Sequence, residues 1–339
     1  MAIIVNPSNV QIGMYVLCET SSGLYFSGQF SALNFNESTP MTGAIAGFST
    51  GGGPGGTPSA PPAGWPCIEK FPFATDTNAG YVGLLSNCKG EIGASSSETN
   101  GYTIAGYNWV SGFISNNDKF PFASSGYTAS NIGNISQSRY GAAGSSSNTH
   151  GYGAGGLVPG NTISNRIDRF PFATDSGSCC VSTLCVTKDG SAGHSSYTHG
   201  YTSGGRCAMP GTDTSAIDKY PFSTVGVSTG VGNLVLARAT YQGISSTQNG
   251  YTVGGYTVPT PIVTCMDKFP FATDSSSTNI GCMSPSVSGA SWSSFQNGYN
   301  TGGNPSTNIV KKFSFASDSN AITVGNAQRC FASNRGHQD

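Results

Sequence analysis

Along most of the chain, short runs of apolar residues at every second position are separated by clusters of Gly, Ser, Asn and Asp. Such alternation is the period of a half-buried β-strand. In "NLVLARATYQGISS" (233–246) it gives one strand, and after an Asn-Gly dipeptide "YTVGG" gives a second. Asn-Gly between two strand-like runs signals a two-residue hairpin whose turn positions need φ > 0. Asn100, Asn249 and Asn297 fill the first turn position, and His150 and His199 substitute there. The run "DKFPF" (267–271) reads as a third strand, "ATDSSS" (272–277) as an Asp/Ser turn and "TNIGC" (278–282) as the start of a fourth. Alternation puts Phe269 and Phe271 on one face, expected to pack on the neighbouring unit, and Lys268 on the other. No helical period is apparent.

The pattern repeats. A Gly-aromatic phrase stands at Gly47-Phe48, Gly101-Tyr102, Gly151-Tyr152, Gly200-Tyr201, Gly250-Tyr251 and Gly298-Tyr299. A second phrase places its first aromatic at Phe71, Phe120, Phe170, Tyr220, Phe269 and Phe313. Two phrases that keep one period near 50 residues mark a structural repeat of four antiparallel strands, the unit of a β-propeller blade. Residues 47–339 hold six repeats, and residues 1–46, with "GMYVLCE", "GLYFSG" and "FSALNF", read as a partial or seventh blade. Seven blades in a single domain spanning 1–339 are therefore favoured, closed by "NAQRCFASN" (326–334) against the N-terminal unit; six blades with an N-terminal arm is the alternative.

"ARATYQGISSTQNGYTVGG" resembles the kelch repeat: an Arg in the first strand, a hairpin, an aromatic, and a double glycine closing the second strand. Arg139, Arg238 and Arg329 match the Arg. The glycine pairs are Gly51-Gly52, Gly155-Gly156, Gly204-Gly205, Gly254-Gly255 and Gly302-Gly303, with Ala105-Gly106 in the second copy. The tryptophan of later kelch strands is missing, and Phe-Pro-Phe stands in its place. The wording "DKFPFATD…THGYTSGG" is similar, over roughly residues 44–335, to Gly/Ser-rich kelch-like proteins of marine tailed bacteriophages. That resemblance implies an all-β propeller in a virus particle, in a tail, fibre or surface decoration.

Composition narrows the partners. Only 9% of residues are charged and the formal net charge is −1, so no basic field exists for nucleic acid or an anionic membrane. The N-terminus has no basic n-region, and no apolar run is long enough to span a bilayer. The expected partners are other virion proteins, copies of the chain itself, or a host-surface glycan or protein. The expected location is the virion, with an extracellular or cell-surface kelch adhesin or adapter as the alternative. The ten cysteines (Cys18, Cys67, Cys88, Cys179, Cys180, Cys185, Cys207, Cys265, Cys282 and Cys330) keep no fixed place in the repeat, and buried, reduced thiols are expected.

No residue set argues for catalysis, a metal or a cofactor. Lys70, Lys119, Arg169, Lys219, Lys268 and Lys312 recur at one position, and Glu69, Asp118, Asp168, Asp218 and Asp267 precede five of them. A catalytic group is needed once, so charges copied into every unit read as blade-to-blade contacts. His150 and His199 read as turn formers, His194 stands alone in a strand and His337 lies in the tail, all without metal-ligand spacing and read as turn or surface residues. The Cys-linked Tyr and paired His of the kelch-family copper oxidase are not visible. Function is left to the loops between glycine pair and basic residue, above all the Pro/Gly-rich 53–66. Their aromatics Trp65, Tyr107, Trp109 and Tyr256 are the candidate binding residues.

Overall fold

The two repeated phrases turn out to be the two halves of one contact. In the computed structural model, Gly101 lies directly opposite Phe120 across an antiparallel ladder, and Gly151/Phe170, Gly200/Tyr220, Gly250/Phe269 and Gly298/Phe313 repeat the pairing. The ring of each aromatic covers its glycine so closely that a Cβ on Gly101 would lie 2.2 Å from Phe120. The glycine is there because the aromatic lies flat on the backbone opposite it, a pairing that also screens the glycine from water.

The structure describes residues 17–20, 23–26, 43, 45–53, 64–209, 211–224, 226–240, 242–257, 262–283, 285, 287–303, 307–328 and 335–338, and among them there are strands and no helix. The chain divides into two compact units, Met1–Ser38 and Thr39–Asp339. The first holds one antiparallel hairpin, Leu17–Thr20 with Gly23–Phe26. The second is a β-propeller of six four-stranded blades, not seven.

Blades two to six run in sequence from inner to outer strand. The inner strands are Gly93–Ser96, Ala143–Ser146, Ala192–Ser195, Gly243–Ser245 and Ala290–Ser293. Blade one takes its inner strand from the other end of the chain: Arg335–Gln338 pairs antiparallel with Ala46–Thr50, followed outward by Cys67–Pro72 and Gly80–Leu84. The pairing that closes the ring lies just beyond "NAQRCFASN" (326–334). Residues 329–334 of that run, Arg329 among them, lie outside the described residues. A ring joined by pairing its two ends leaves no blade short of a strand and no long unpaired outer edge between first and last blades.

Packing between blades follows from the strand period. Phe269 and Phe271 of blade five are buried against Tyr201, Ile217 and Leu234 of blade four, while Lys268 points the other way, to Asp318 of blade six. The same step is made by Lys119–Asp175 (2.9 Å), Lys219–Asp274 (2.8 Å) and Lys312–Asp76 (2.6 Å), the last joining blade six to blade one. Asp76, Asp175, Asp274 and Asp318 have left-handed backbones, which Asp tolerates in a tight turn. Blade two has no turn Asp, and Lys70 of blade one lies instead over the Phe48 ring.

The copied acid does a second job. Asp118, Asp168, Asp218 and Asp267 form buried ion pairs with Lys89, Arg139, Lys188 and Arg238 at 3.3–3.5 Å. Each cation lies on the segment that enters the inner strand of the same blade. Lys89 and Lys188 thus fill the place for which the sequence supplied only arginines. Burial pulls the Lys89 and Lys188 ammoniums below their usual range, and their aspartates oppose it. The carbonyl of each cation in turn accepts the backbone N–H of the second residue of a glycine pair: Gly52 to Lys89, Gly106 to Arg139, Gly156 to Lys188 and Gly205 to Arg238. Both members of each pair have positive φ, and in copy two Ala105 takes that strain with φ 52°. Side chains there would be strained whatever the space.

One turn expectation is corrected. The residues before the copied glycine (Asn100, His150, His199, Asn249, Asn297) begin the second strand rather than sitting in a left-handed turn. The hairpin is made one step earlier: Ser97 Oγ accepts the N–H of Asn100, and Ser147, Ser196, Ser246 and Ser294 do the same. A serine that caps its own turn replaces the Asn-Gly solution.

Candidate functional site

The inner strands surround a polar axial cavity of about 80 Å³. Their free edges are satisfied by side chains of the neighbouring blade. Ser96, Ser146, Ser195, Ser245 and Ser293 each accept, at Oγ, a backbone N–H from the adjacent inner strand, beginning with Gln338 N–H onto Ser96. At the preceding position Ser95 Oγ donates to Ser145 O, and the His194 and His337 Nδ1–H groups donate to Ile244 O and Ser95 O. This is why the inner strands are serine-rich: each hydroxyl pairs an edge that would otherwise lie open. The neighbouring backbones are so close that a Cβ on Gly144, Gly193 or Gly336 would fall about 2 Å from a carbonyl oxygen.

His194 and His337 are accordingly buried, not surface or tail residues. Each accepts a hydroxyl hydrogen at Nε2, from Ser203 (2.8 Å) and Thr50 (2.9 Å). The carbonyl at Nδ1 sets that tautomer. By distance these are hydroxyl–imidazole pairs, but both partners are sealed inside the ring, and burial lowers each imidazole to about 4. They are seams between blades. His150 and His199 lie in equivalent places beside the hairpin turns, bonded to Thr149 and Thr198.

The loop face differs. Subtracting the copied charges leaves eight charged residues in the described ring: Glu91, Glu98, Arg166, Asp189, Arg206, Asp213, Lys311 and Arg335. Five of them converge where the inner strands begin. Arg206 is paired with Asp189, and Arg335, which lines the axial cavity, lies 3.8 Å from Glu91. Glu91, Asp189, Asp213 and Arg206 all act on Tyr256, and Glu91, Asp189 and Arg206 on Tyr140. The scaffold places them through backbone bridges between each entry segment and the hairpin beyond the glycine pair: Gly90 with Tyr107, Tyr140 with Leu157, Asp189 with Arg206, and Ala239 with Tyr256. Inter-blade bonds from Gly141 to Glu91, Gly190 to Gly141 and Thr240 to Gly190 carry the arrangement round the axis.

The site's electrostatics set it apart. Asp189 is fully buried, its Oδ1 has no hydrogen-bond partner, and burial raises its carboxyl to about 6 against the pull of Arg206. Burial, with Asp189 and Glu91 adding to it, pushes the Tyr140 hydroxyl up to about 12. Glu91 holds a left-handed backbone (φ 52°) where Gly141 and Gly190 stand in blades three and four. An L-residue there costs about 1–2 kcal/mol.

The four candidate aromatics are all half-buried on this face. Tyr107 contacts Trp109, Phe113 and Tyr140 edge-on. Trp109 covers Gly53 and Gly64 of the preceding loop, and Trp65 donates its N–H to Gly52. Tyr256 joins the charged group. The structure therefore links Tyr256 directly, and Tyr107 through Tyr140, to a charged group that the sequence reading passed over, while Trp109 acts as a brace between loops. Residues 54–63 of the Pro/Gly-rich loop lie outside the described residues. The most exposed aromatics, Tyr197 and Phe295, are on the opposite hairpin turns.

The cysteines depart from expectation in burial. Among the eight whose side chains are described, all unbridged, only Cys67 is buried, and Cys179, Cys180, Cys185 and Cys282 are exposed. Among the described residues no group of three or more His, Cys, Asp or Glu is placed to hold a metal ion. No family model matches the chain, and no curated protein does.

Proposed function

We propose that the chain is a non-enzymatic, kelch-type binding propeller of a virus particle, carried in a tail, fibre or surface decoration, and that it takes its partner at the loop-face mouth of the axial cavity. One observation carries the binding site: most of the copied charges are engaged in contacts within and between blades, whereas most of the uncopied ones gather at one place. A charged group held in a single copy, with Glu91 on a strained backbone and the Asp189 carboxyl raised by burial, costs stability that recognition would explain. Carboxylates, guanidiniums and tyrosine hydroxyls round a narrow polar mouth suit a hydroxyl-rich ligand such as a surface glycan, or a polar loop of a neighbouring virion protein. The kelch reading is supported by the glycine pairs and by the buried cation that each of four pairs engages. The virion reading is supported by the wording of the repeats and the charge-poor surface.

Two measurements test this. Mass spectrometry of purified virus particles is expected to find the chain in fixed ratio to capsid or tail proteins; recovery only from a cell-surface or secreted fraction supports a cellular adhesin instead. On a glycan array, Arg206→Ala with Tyr256→Phe is expected to abolish whatever the wild-type ring retains. Binding unchanged in that variant places the site elsewhere.

A further inference from the structure

The outer ladder of blade five sets two cysteines face to face. Cys265 and Cys282 are direct partners in the antiparallel pairing of Cys265–Pro270 with Thr278–Cys282. Three hydrogen bonds identify the type of pair. Met283 N–H donates to Thr264 O on one side of it, Cys265 O accepts from Gly254, and Cys282 N–H goes to Asn320 of blade six. Neither cysteine backbone is bonded to the other, so this is a non-hydrogen-bonded pair, in which Cα atoms stand about 4.5 Å apart and side chains share one face. A disulfide needs Cα atoms roughly 4.4–6.8 Å apart. The same register position in the other blades holds Cys67/Leu84, Asn116/Asn134, Arg166/Thr183, Ala216/Asn233 and Ile309/Asn326, so blade five alone brings two thiols together. Both are reduced here; Cys282 is exposed and Cys265 half-buried, which leaves an entry for a thiol oxidant.

We propose that Cys265 and Cys282 form a site of reversible disulfide formation, stapling the outer strand of blade five to the strand beside it. The step is thiol–disulfide exchange with a small-molecule disulfide such as oxidised glutathione. The Cys282 thiolate attacks the glutathione disulfide and releases one glutathione thiolate; the Cys265 thiolate then attacks the mixed disulfide and releases the second. Two protein thiols lose two protons and two electrons, and one glutathione disulfide becomes two glutathione thiols. The bridge would form wherever the protein meets an oxidising medium and open where glutathione is reduced.

Full-length protein equilibrated with oxidised glutathione, alkylated with N-ethylmaleimide and digested without reduction is expected to give one peptide joining Cys265 to Cys282, lighter than its two thiol parts by two hydrogen atoms. In the same sample the exposed Cys179 reports that the oxidant acted, by carrying a glutathionyl group. Cys265→Ser should leave Cys282 glutathionylated and the ring folded, because other blades carry Asn or Ala at that position. To test the register itself, Ile309→Cys with Asn326→Cys should bridge in blade six, whereas Val310→Cys with Gly325→Cys, one step along the ladder, should not. Cys265 and Cys282 both found alkylated, or Cys282 left as a stable glutathione adduct in the wild type, while Cys179 is modified, would overturn the proposal.

Discussion

The blade interiors and the mouth of the axial cavity hold charge in opposite ways. Inside four blades a buried aspartate meets a buried cation, each pair set with further hydrogen bonds: Asp267 also accepts from Val235 N–H and Ser277, and Arg238 donates to Thr252 O. At the mouth, Asp189 meets Arg206 once, leaves an oxygen unpaired and sits among Glu91 and Asp213. Both carboxylates are fully buried and both leave Oδ1 without a partner; they differ at Oδ2, which takes Val235 N–H, Ser277 and Arg238 in Asp267 and Arg206 alone in Asp189. A buried ion pair costs desolvation that only good geometry and additional hydrogen bonds recover, so the first arrangement suits a scaffold and the second fits the binding site proposed above.

The largest expected effect breaks the pair inside a blade. Asp267→Ala strands the fully buried Arg238 guanidinium and should lower unfolding free energy by about 3–5 kcal/mol in denaturant melts. A loss below about 1 kcal/mol would mean the copied pair is not structural.

Acid comes next, and acts at the histidine seams between blades. His194 and His337 have folded pKa values of about 4, below the ordinary imidazole value. The unfolded chain therefore takes up protons first as pH falls below about 6.5, and each histidine withdraws up to about 3 kcal/mol between there and pH 4, with no contribution above that window. Asp189, raised to about 6, works in the other direction, gaining stability over the range in which it protonates. The two histidines outweigh it, so the ring should weaken from pH 6.5 to 4. His194→Ser with His337→Ser, copying Ser95 and Ser145 of blades two and three, should flatten that limb; an unchanged acid profile would show that the seams do not carry it.

A smaller effect sharpens the mouth. Glu91→Gly, restoring the residue type of Gly141 and Gly190, should raise stability by about 1 kcal/mol in the same melts. A loss would assign Glu91 to the scaffold. The smallest is Lys268→Ala at the part-exposed pair with Asp318, expected to cost about 0–1 kcal/mol and to shrink in high salt.

The fold was largely legible because its signals are local and repeated. The strand period assigned Phe269, Phe271 and Lys268 to their correct faces; of the copied charges expected to join blades, Lys119, Lys219, Lys268 and Lys312 do so, whereas the copied aspartates pair within their own blade. What failed depends on tertiary closure. No local pattern reveals that Arg335–Gln338 pairs with Ala46–Thr50, nearly three hundred residues away, so the partial N-terminal unit was counted as a blade. His337 looked like a tail residue for the same reason. Lys89 and Lys188 were missed because burial against an aspartate, not residue identity, defines that position. The mouth was missed because Glu91, Asp189, Arg206, Asp213 and Arg335 follow no motif. The available signal was their failure to repeat.

The comparison rests on Asp267 holding the ring together while Asp189 weakens it. Urea unfolding of the wild type, Asp267→Asn and Asp189→Asn, side by side at pH 7.5, measures this directly. The account predicts that Asp267→Asn moves the midpoint clearly down, whereas Asp189→Asn, which removes a carboxylate whose burial costs about 3 kcal/mol when ionised, leaves it unchanged or moves it up. Equal downward shifts in the two variants would contradict the division between scaffold and site.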